Sequence, residues 1–182
     1  MKTVELVFAI GWALFWIGWI AAAFSMKRAH VASSRSIRIR LVLLVIFILL
    51  VHTKVFSHLD THTDPLRVGV GLALFVLGLA FAIWARVYIG RNWGTPMMKK
   101  TGSELVTSGP YHLVRHPIYS GILVAGIGTA ISLGWAWLVL VALYGSYFIY
   151  SATQEEHYMT TQFPEAYPTY KRASKMLIPF IF

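Results

Sequence analysis

Between Gly109 and Gly121 the chain reads Gly-Pro-Tyr-His-Leu-Val-Arg-His-Pro-Ile-Tyr-Ser-Gly, with two histidines, an arginine and two tyrosines in one short segment. Histidine and carboxylate side chains move protons, arginine holds anions, and aromatic faces attract cations. A Glu155-Glu156 pair follows the next apolar stretches. Tyr144, Tyr147, Ser151, Glu155 and Tyr158 recur at spacings of three and four, so they form one polar stripe on a helix that is otherwise apolar. Polar chemistry gathered at one edge of apolar segments reads as an enzyme rather than a structural membrane protein.

Local rules constrain how these residues are held. Pro110 and Pro117 stop helix on either side of Tyr111 to His116, which predicts a constrained loop or a single turn. Pro117 suits the first position of the next helix, and His116 then stands at its entrance, near free backbone N–H groups. Gly121, Ala125 and Gly128 share one face of that helix, either for close packing or to leave room for a ligand. The Glu pair is expected at the C-terminal end of its helix, where the dipole disfavours negative charge. A cationic partner, Arg115 or a ligand, would offset this; the alternative is solvated surface. Tyr144 and Tyr147 lie deeper than interfacial anchors and are equally consistent with anchoring or with lining a cavity.

The elements that must position these groups are membrane helices. Hydrophobic residues make up 57% and charged residues 13% of the 182 residues, about half the charge fraction of a soluble domain. Apolar runs cover residues 4–26, 37–56, 67–89, 118–133 and 135–152, near the roughly 20 residues that span a bilayer, although the fourth is short. The first run could be a signal peptide, but it is too long and lacks a clear cleavage site. Trp12, Trp16 and Trp19 form a stripe on it that reads as packing or lipid-facing surface. With no cysteine, the chain has no disulfide, thiolate metal site or lipidated cysteine of its own. His58 and His62 flank Asp60 in a loop, and no metal site is expected there.

Basic residues set the expected orientation. Lys27, Arg28, Arg35, Arg38, Arg40, Arg86, Arg91, Lys99, Lys100, Arg115, Lys171, Arg172 and Lys175 share one side if there are five spans, leaving Lys2, Lys54 and Arg67 on the other. The positive-inside rule then puts the N-terminus outside and the C-terminus in the cytoplasm, with the motif and the Glu pair facing the cytoplasm. The net charge of +9 belongs to these loops and not to a nucleic-acid surface. The expected fold class is all-α integral membrane, with five transmembrane helices, a cytoplasmic motif loop and a C-terminal amphipathic segment. It forms one domain over 1–182: three spans in 1–89, then the loop, a helical hairpin and the tail in 90–182.

The segments Leu105-Val106-Thr107-Ser108-Gly109-Pro110-Tyr111 and Val114-Arg115-His116-Pro117-Ile118-Tyr119-Ser120-Gly121 resemble the isoprenylcysteine carboxyl methyltransferase and phospholipid methyltransferase family. The tail does too, through Glu155-Glu156, Phe163-Pro164, Tyr167, Tyr170 and Ile178-Pro179. The likeness covers roughly residues 93–179. Two departures are visible: Pro164 stands where glycine usually follows Phe163, and Ser151 stands where the prenylcysteine branch has an arginine.

The resemblance implies a membrane methyltransferase that uses S-adenosylmethionine, bound by the last two spans and their flanking loops. Matched motif by motif, cofactor contacts fall on Ser103, Glu104, Leu105, Val106, Tyr111, His116, Pro117, Ile118, Tyr119 and Glu155. Glu155 and Arg115 are the expected catalytic residues, with Tyr147 and Ser151 toward the substrate and no metal. The expected partners are the donor, a lipophilic and possibly prenylated acceptor entering from the lipid bilayer, and no nucleic acid. Isoprenylcysteine carboxyl O-methylation is the leading expectation. A lipid amine N-methyltransferase and an NADPH-dependent membrane reductase are the alternatives. A carboxylate acceptor needs no proton removed; an amine or hydroxyl acceptor does, and Glu155 or His116 could take it.

Overall fold

The computed structural model describes residues 2–23, 38, 39, 41–43, 45, 46, 49, 64–90 and 104–182. Their ordered backbone is helical: α1 (Lys2–Ala23), α2 (Pro65–Ile89), the single turn α3 (Pro110–Leu113), α4 (Pro117–Leu133), α5 (Trp137–Gln162) and α6 (Ala166–Ala173). Most of the expected second span lies outside the described residues, as do His58, Asp60 and His62. The described residues between 38 and 49 are helical. Of the described helices, α1 and α2 are long and apolar enough to cross a bilayer, so they account for two of the five expected spans. At 17 residues, α4 is about 26 Å long, a little under the roughly 30 Å hydrocarbon core.

Asp64 starts α2 by accepting a hydrogen bond from Leu66 N (3.0 Å), with Pro65 in the first turn. The close antiparallel pairing of α2 and α4 organises the molecule. A Cβ placed on Gly78 would lie 2.5 Å from Ala125 N and 2.6 Å from Gly121 O; one on Gly121 would lie 2.5 Å from Gly78 O. Gly71 and Gly128 face each other in the same way, one spacing of seven further along. Small residues let the two backbones touch, which is how helices associate where no water drives them together. The stripe of Gly121, Ala125 and Gly128 is therefore filled by α2, and this face leaves no space for a ligand.

Polar cross-links reinforce the pair. Arg67 Nε donates to Ile131 O (2.9 Å), and Ser132 Oγ donates to Val68 O (3.2 Å). Helix α1 packs Phe8 and Trp12 against Phe75, and Trp12 Nε1 donates to Thr129 Oγ1 (3.2 Å). Trp12 thus packs inward, whereas Trp16 is exposed. Arg86 ties the ends of α1 and α2 together, donating from Nη2 to Ala22 O (2.8 Å) and from Nη1 to Gly90 O (3.0 Å).

Gly134, with φ 132°, turns the chain from α4 into α5. Helix α5 runs on to Gln162, well beyond the apolar stretch that ends at Ala152. Glu155 and Glu156 therefore lie inside a helix and not at its end. The expected dipole penalty does not apply, since it acts only within the last turn. What holds these carboxylates is found in the site itself.

Candidate active site

The motif loop folds as its prolines dictate. Gly109, at φ 60°, reverses the chain ahead of α3, and its missing Cβ makes room for the Tyr88 ring, which would otherwise lie 2.6 Å away. Pro110 opens α3 and Pro117 opens α4, with His116 at the cap position between them. The short stretch from Val114 to His116 is extended enough to pair with the tail. Val114 bridges Lys175 in parallel, Arg115 N donates to Lys175 O (2.8 Å), and His116 N donates to Met176 O (3.1 Å). Ser120 Oγ donates to Leu177 O (2.6 Å), and Tyr170 OH donates to Tyr111 O (2.6 Å). These contacts join residues more than fifty positions apart, and nothing in the local pattern signals them.

Glu156 pins the tail to the loop. Its side chain is 2% exposed. Arg115 Nε lies 2.6 Å from Oε1, and Lys171 Nζ lies 2.7 Å from Oε2. Arg115 Nη1 also donates to the carbonyls of Lys171 and Ser174. Burial alone would raise the Glu156 carboxyl, but polar contacts from His116, Lys171 and Arg115 outweigh it and hold the group at about 2. The cationic partner expected for the acidic pair is thus Arg115, but it serves Glu156. Arg115 is committed to holding the loop against α5 and the tail.

Glu155 has a different environment. Its side chain is 27% exposed, and Oε1 accepts from Tyr119 OH (2.6 Å) and Ser151 Oγ (3.0 Å). Its other oxygen lies 3.6 Å from His116 Nδ1. His116 Nε2 is buried, 3.5 Å from Glu156 Oε1, without a hydrogen-bond partner among the described residues. The rings of His116, Tyr119 and Phe148 stack in sequence, with centroids 5.4 and 4.5 Å apart and planes within 4°. A carboxylate fixed by two hydroxyls beside a stack of aromatic faces suits a ligand carrying positive charge.

The structure brings most of the expected site together. Tyr111, Ile118, Tyr119 and Tyr147 share one buried cluster with Phe148 and Leu177, and Val106 packs against it. Ser151 is fully buried and bonded to Glu155, and Pro117 is buried in the first turn of α4. Tyr111 donates to Ala85 O (3.4 Å); burial pushes its phenol up, with Tyr170 and Glu155 adding to the effect and Arg86 opposing it. Leu105 is half-buried and Glu104 exposed, and neither joins the network among the described residues. Ser103 lies outside the described residues. Phe148, Lys171 and Leu177 were not expected. Phe148 carries the spacing signal, four residues after Tyr144 and three before Ser151, but it is apolar in an apolar helix and so does not stand out.

Comparison with known proteins bears on the family and the fold. The family model for phospholipid methyltransferases matches residues 66–166, which takes in α2, the loop, α4 and α5. Protein-S-isoprenylcysteine O-methyltransferase B of Arabidopsis thaliana is 30% identical over 116 residues, covering 61% of this chain and 58% of the relative. A probable protein-S-isoprenylcysteine O-methyltransferase of Oryza sativa subsp. indica is 28% identical over 168 residues, covering 89% of this chain and 87% of the relative. The fold is similar to that of the eukaryotic intramembrane Ras methyltransferase ICMT, with a TM-score of 0.60 and 23% identity over 84% of this chain and 55% of that one. The chain thus spans little more than half the length of the Arabidopsis relative and of the solved chain. Matched by the family model over more than half its length and built on apolar spans, it is an integral-membrane member of the phospholipid methyltransferase family.

Proposed function

We propose that this chain transfers a methyl group from S-adenosylmethionine to the carboxylate of a lipophilic isoprenylcysteine acceptor at the membrane edge. The observation that carries the reading is the Glu155 carboxylate, held by Tyr119 and Ser151 beside the His116–Tyr119–Phe148 stack. The names of the relatives support the acceptor class.

The residues fit the donor's charge. Glu155, His116 and Tyr111 would hold it, Glu155 through its carboxylate and the two rings through a face, each such face contributing about 0.5–2 kcal/mol. Tyr119, its faces covered by His116 and Phe148, acts through its hydroxyl on Glu155. When bound, the donor supplies a methyl on a cationic sulfonium with a good leaving group. The chain's own task is to align the reacting groups and exclude water. Two hydroxyls fix the Glu155 rotamer, and the buried cluster around Tyr111, Ile118 and Tyr147 keeps the region dry. A carboxylate acceptor is already ionised, so Glu155 need not remove a proton and acts by orientation and charge. Tyr147 and the buried Ser151 lie on the acceptor side. Arg115 contributes by holding the loop through Glu156.

The decisive assay supplies purified protein with a farnesylated cysteine analogue and labelled donor. Turnover of the prenylcysteine is the expected outcome. Intact binding of S-adenosylhomocysteine with no such turnover, but with methylation of a lipid amine, would move the acceptor. Binding of NADPH in place of S-adenosylhomocysteine would sink the methyltransferase reading.

Within this reading the chain crosses the bilayer five times as one domain. Helices α1 and α2 finish at the same edge, tied by Arg86, as a returning span between them requires. The motif loop and tail then face the cytoplasm, by the asymmetry of basic residues. The chain has no cysteine, so single ones can be introduced cleanly. On intact cells an impermeant thiol reagent is expected to label Thr61→Cys and spare Lys99→Cys; the reverse pattern inverts the orientation.

A further inference from the structure

The last residues of the sequence form a closed, strongly apolar turn that the catalytic reading does not use. Ile178 is 50% exposed, Phe180 92%, Ile181 75% and Phe182 46%. Phe180 adopts φ 66°, a left-handed conformation that is a genuine outlier for a bulky side chain. Such a residue would ordinarily be held by packing around it, and here its ring projects away from the protein.

The backbone of this turn is partly paired within itself. Leu177 N and Ile178 N donate to Phe182 O (2.7 and 2.6 Å), and Ile181 N and Phe182 N donate to Ile178 O (3.2 and 3.0 Å). Pro179 has no N–H to satisfy. Partly paired backbone with outward apolar side chains meets the demand of the headgroup–acyl boundary, where water and headgroups can satisfy the polar groups that the turn leaves open. In water the same arrangement leaves four large apolar groups wet.

Its position fits that demand. Leu177, at the base of the turn, is buried, and its carbonyl accepts from Ser120 in the first turn of α4. The turn is thereby fixed where α4 meets the membrane edge. Just before it come Arg172 and Lys175, both exposed, which complement anionic lipid headgroups.

The geometry points to the turn from Ile178 to Phe182 as an interfacial anchor: its four apolar side chains insert into the leaflet on the motif-loop side, while Arg172 and Lys175 contact anionic headgroups. The anchor braces the strand that pairs with the motif loop, so the bilayer itself helps to hold Met176 against His116. This assignment depends neither on the acceptor nor on which side faces the cytoplasm.

The test uses the full chain in phosphatidylcholine vesicles, with and without phosphatidylserine. An environment-sensitive NBD dye is attached to Phe180→Cys, with exposed Thr169→Cys as the reference. The dye at position 180 is expected to emit further to the blue. It should be quenched by lipids spin-labelled near the headgroup, and shielded from aqueous iodide several-fold more than the reference. Phosphatidylserine should increase the shielding, and a variant combining Arg172→Gln with Lys175→Gln should lose that increase. Unchanged thermal stability of the labelled proteins shows that the fold is intact, as expected at so exposed a position. Equal access of iodide to both sites would overturn the proposal. Disulfide cross-linking of two copies through Phe180→Cys at low protein-to-lipid ratio would also overturn it, by making a second copy the occupant.

Discussion

Replacing Glu156 with alanine is expected to destabilise the folded protein by about 3–5 kcal/mol, the usual result of removing one partner from a buried ion pair. Glu156 is 2% exposed, and its removal leaves Arg115, itself 8% exposed, without a counter-charge. Lys171 can turn into solvent, so the loss falls mainly on Arg115 and on the backbone pairing that it supports. The measurement is the unfolding midpoint in detergent, read together with protease sensitivity of the tail. An unchanged midpoint would show that the Glu156 cluster is dispensable. Pairing Glu156→Leu with Arg115→Met should recover part of the loss, because neither charge is then stranded.

The same carboxylate predicts the acid response. Its folded value of about 2 lies below the ordinary 4.5. A group whose value is depressed on folding stabilises the protein above its unfolded value, and that stabilisation disappears as pH falls toward the folded one. The wild type should therefore lose stability between about pH 5 and pH 2, and Glu156→Gln should flatten that part of the curve.

Removing the charge of Glu155 is the second large effect. Glu155→Gln should weaken S-adenosylhomocysteine binding about tenfold or more, since a hydrogen bond to a charged group contributes about 1.5–3 kcal/mol. Stability should barely change, because the side chain is partly exposed and glutamine can still accept from Tyr119 and Ser151. Tyr119→Phe keeps the stack on His116 and Phe148 but removes the 2.6 Å donor, so a smaller loss is expected. His116→Ala removes one end of the stack as well as the imidazole beside Glu155. Calorimetry on the purified variants reads all three. Unchanged affinity in both Glu155→Gln and Tyr119→Phe would remove this network from the donor site and leave the methyl-transfer reading without its geometric support.

The contrast between the two glutamates shows how far local pattern reaches. Both were visible as an unusual pair in an apolar chain, and the stripe through Ser151 singled out Glu155. Their division of labour was not visible. It depends on Arg115 and Lys171, which meet Glu156 across 41 and 15 residues of chain.

Rules that act within a few residues determined much of this protein from the sequence by itself. The prolines at 110 and 117 bound a single turn and place His116 at the mouth of α4, because proline restricts its own φ and the residue before it. Periodicity put Tyr147, Ser151 and Glu155 on one helix face. The small-residue stripe on α4 left two uses open, a close neighbour or room for a ligand, and its contact with Gly71 and Gly78 on α2 selects the first. Only the tertiary structure decided which helix fills the stripe, that α5 continues past the membrane edge to Gln162, and that the tail returns to pair with the motif loop. Those outcomes rest on backbone hydrogen bonds and buried charge pairs between distant segments. Their energy depends on geometry that no short window of residues contains, because an exposed N–H can donate to, and a carboxylate accept from, many partners until packing leaves it one.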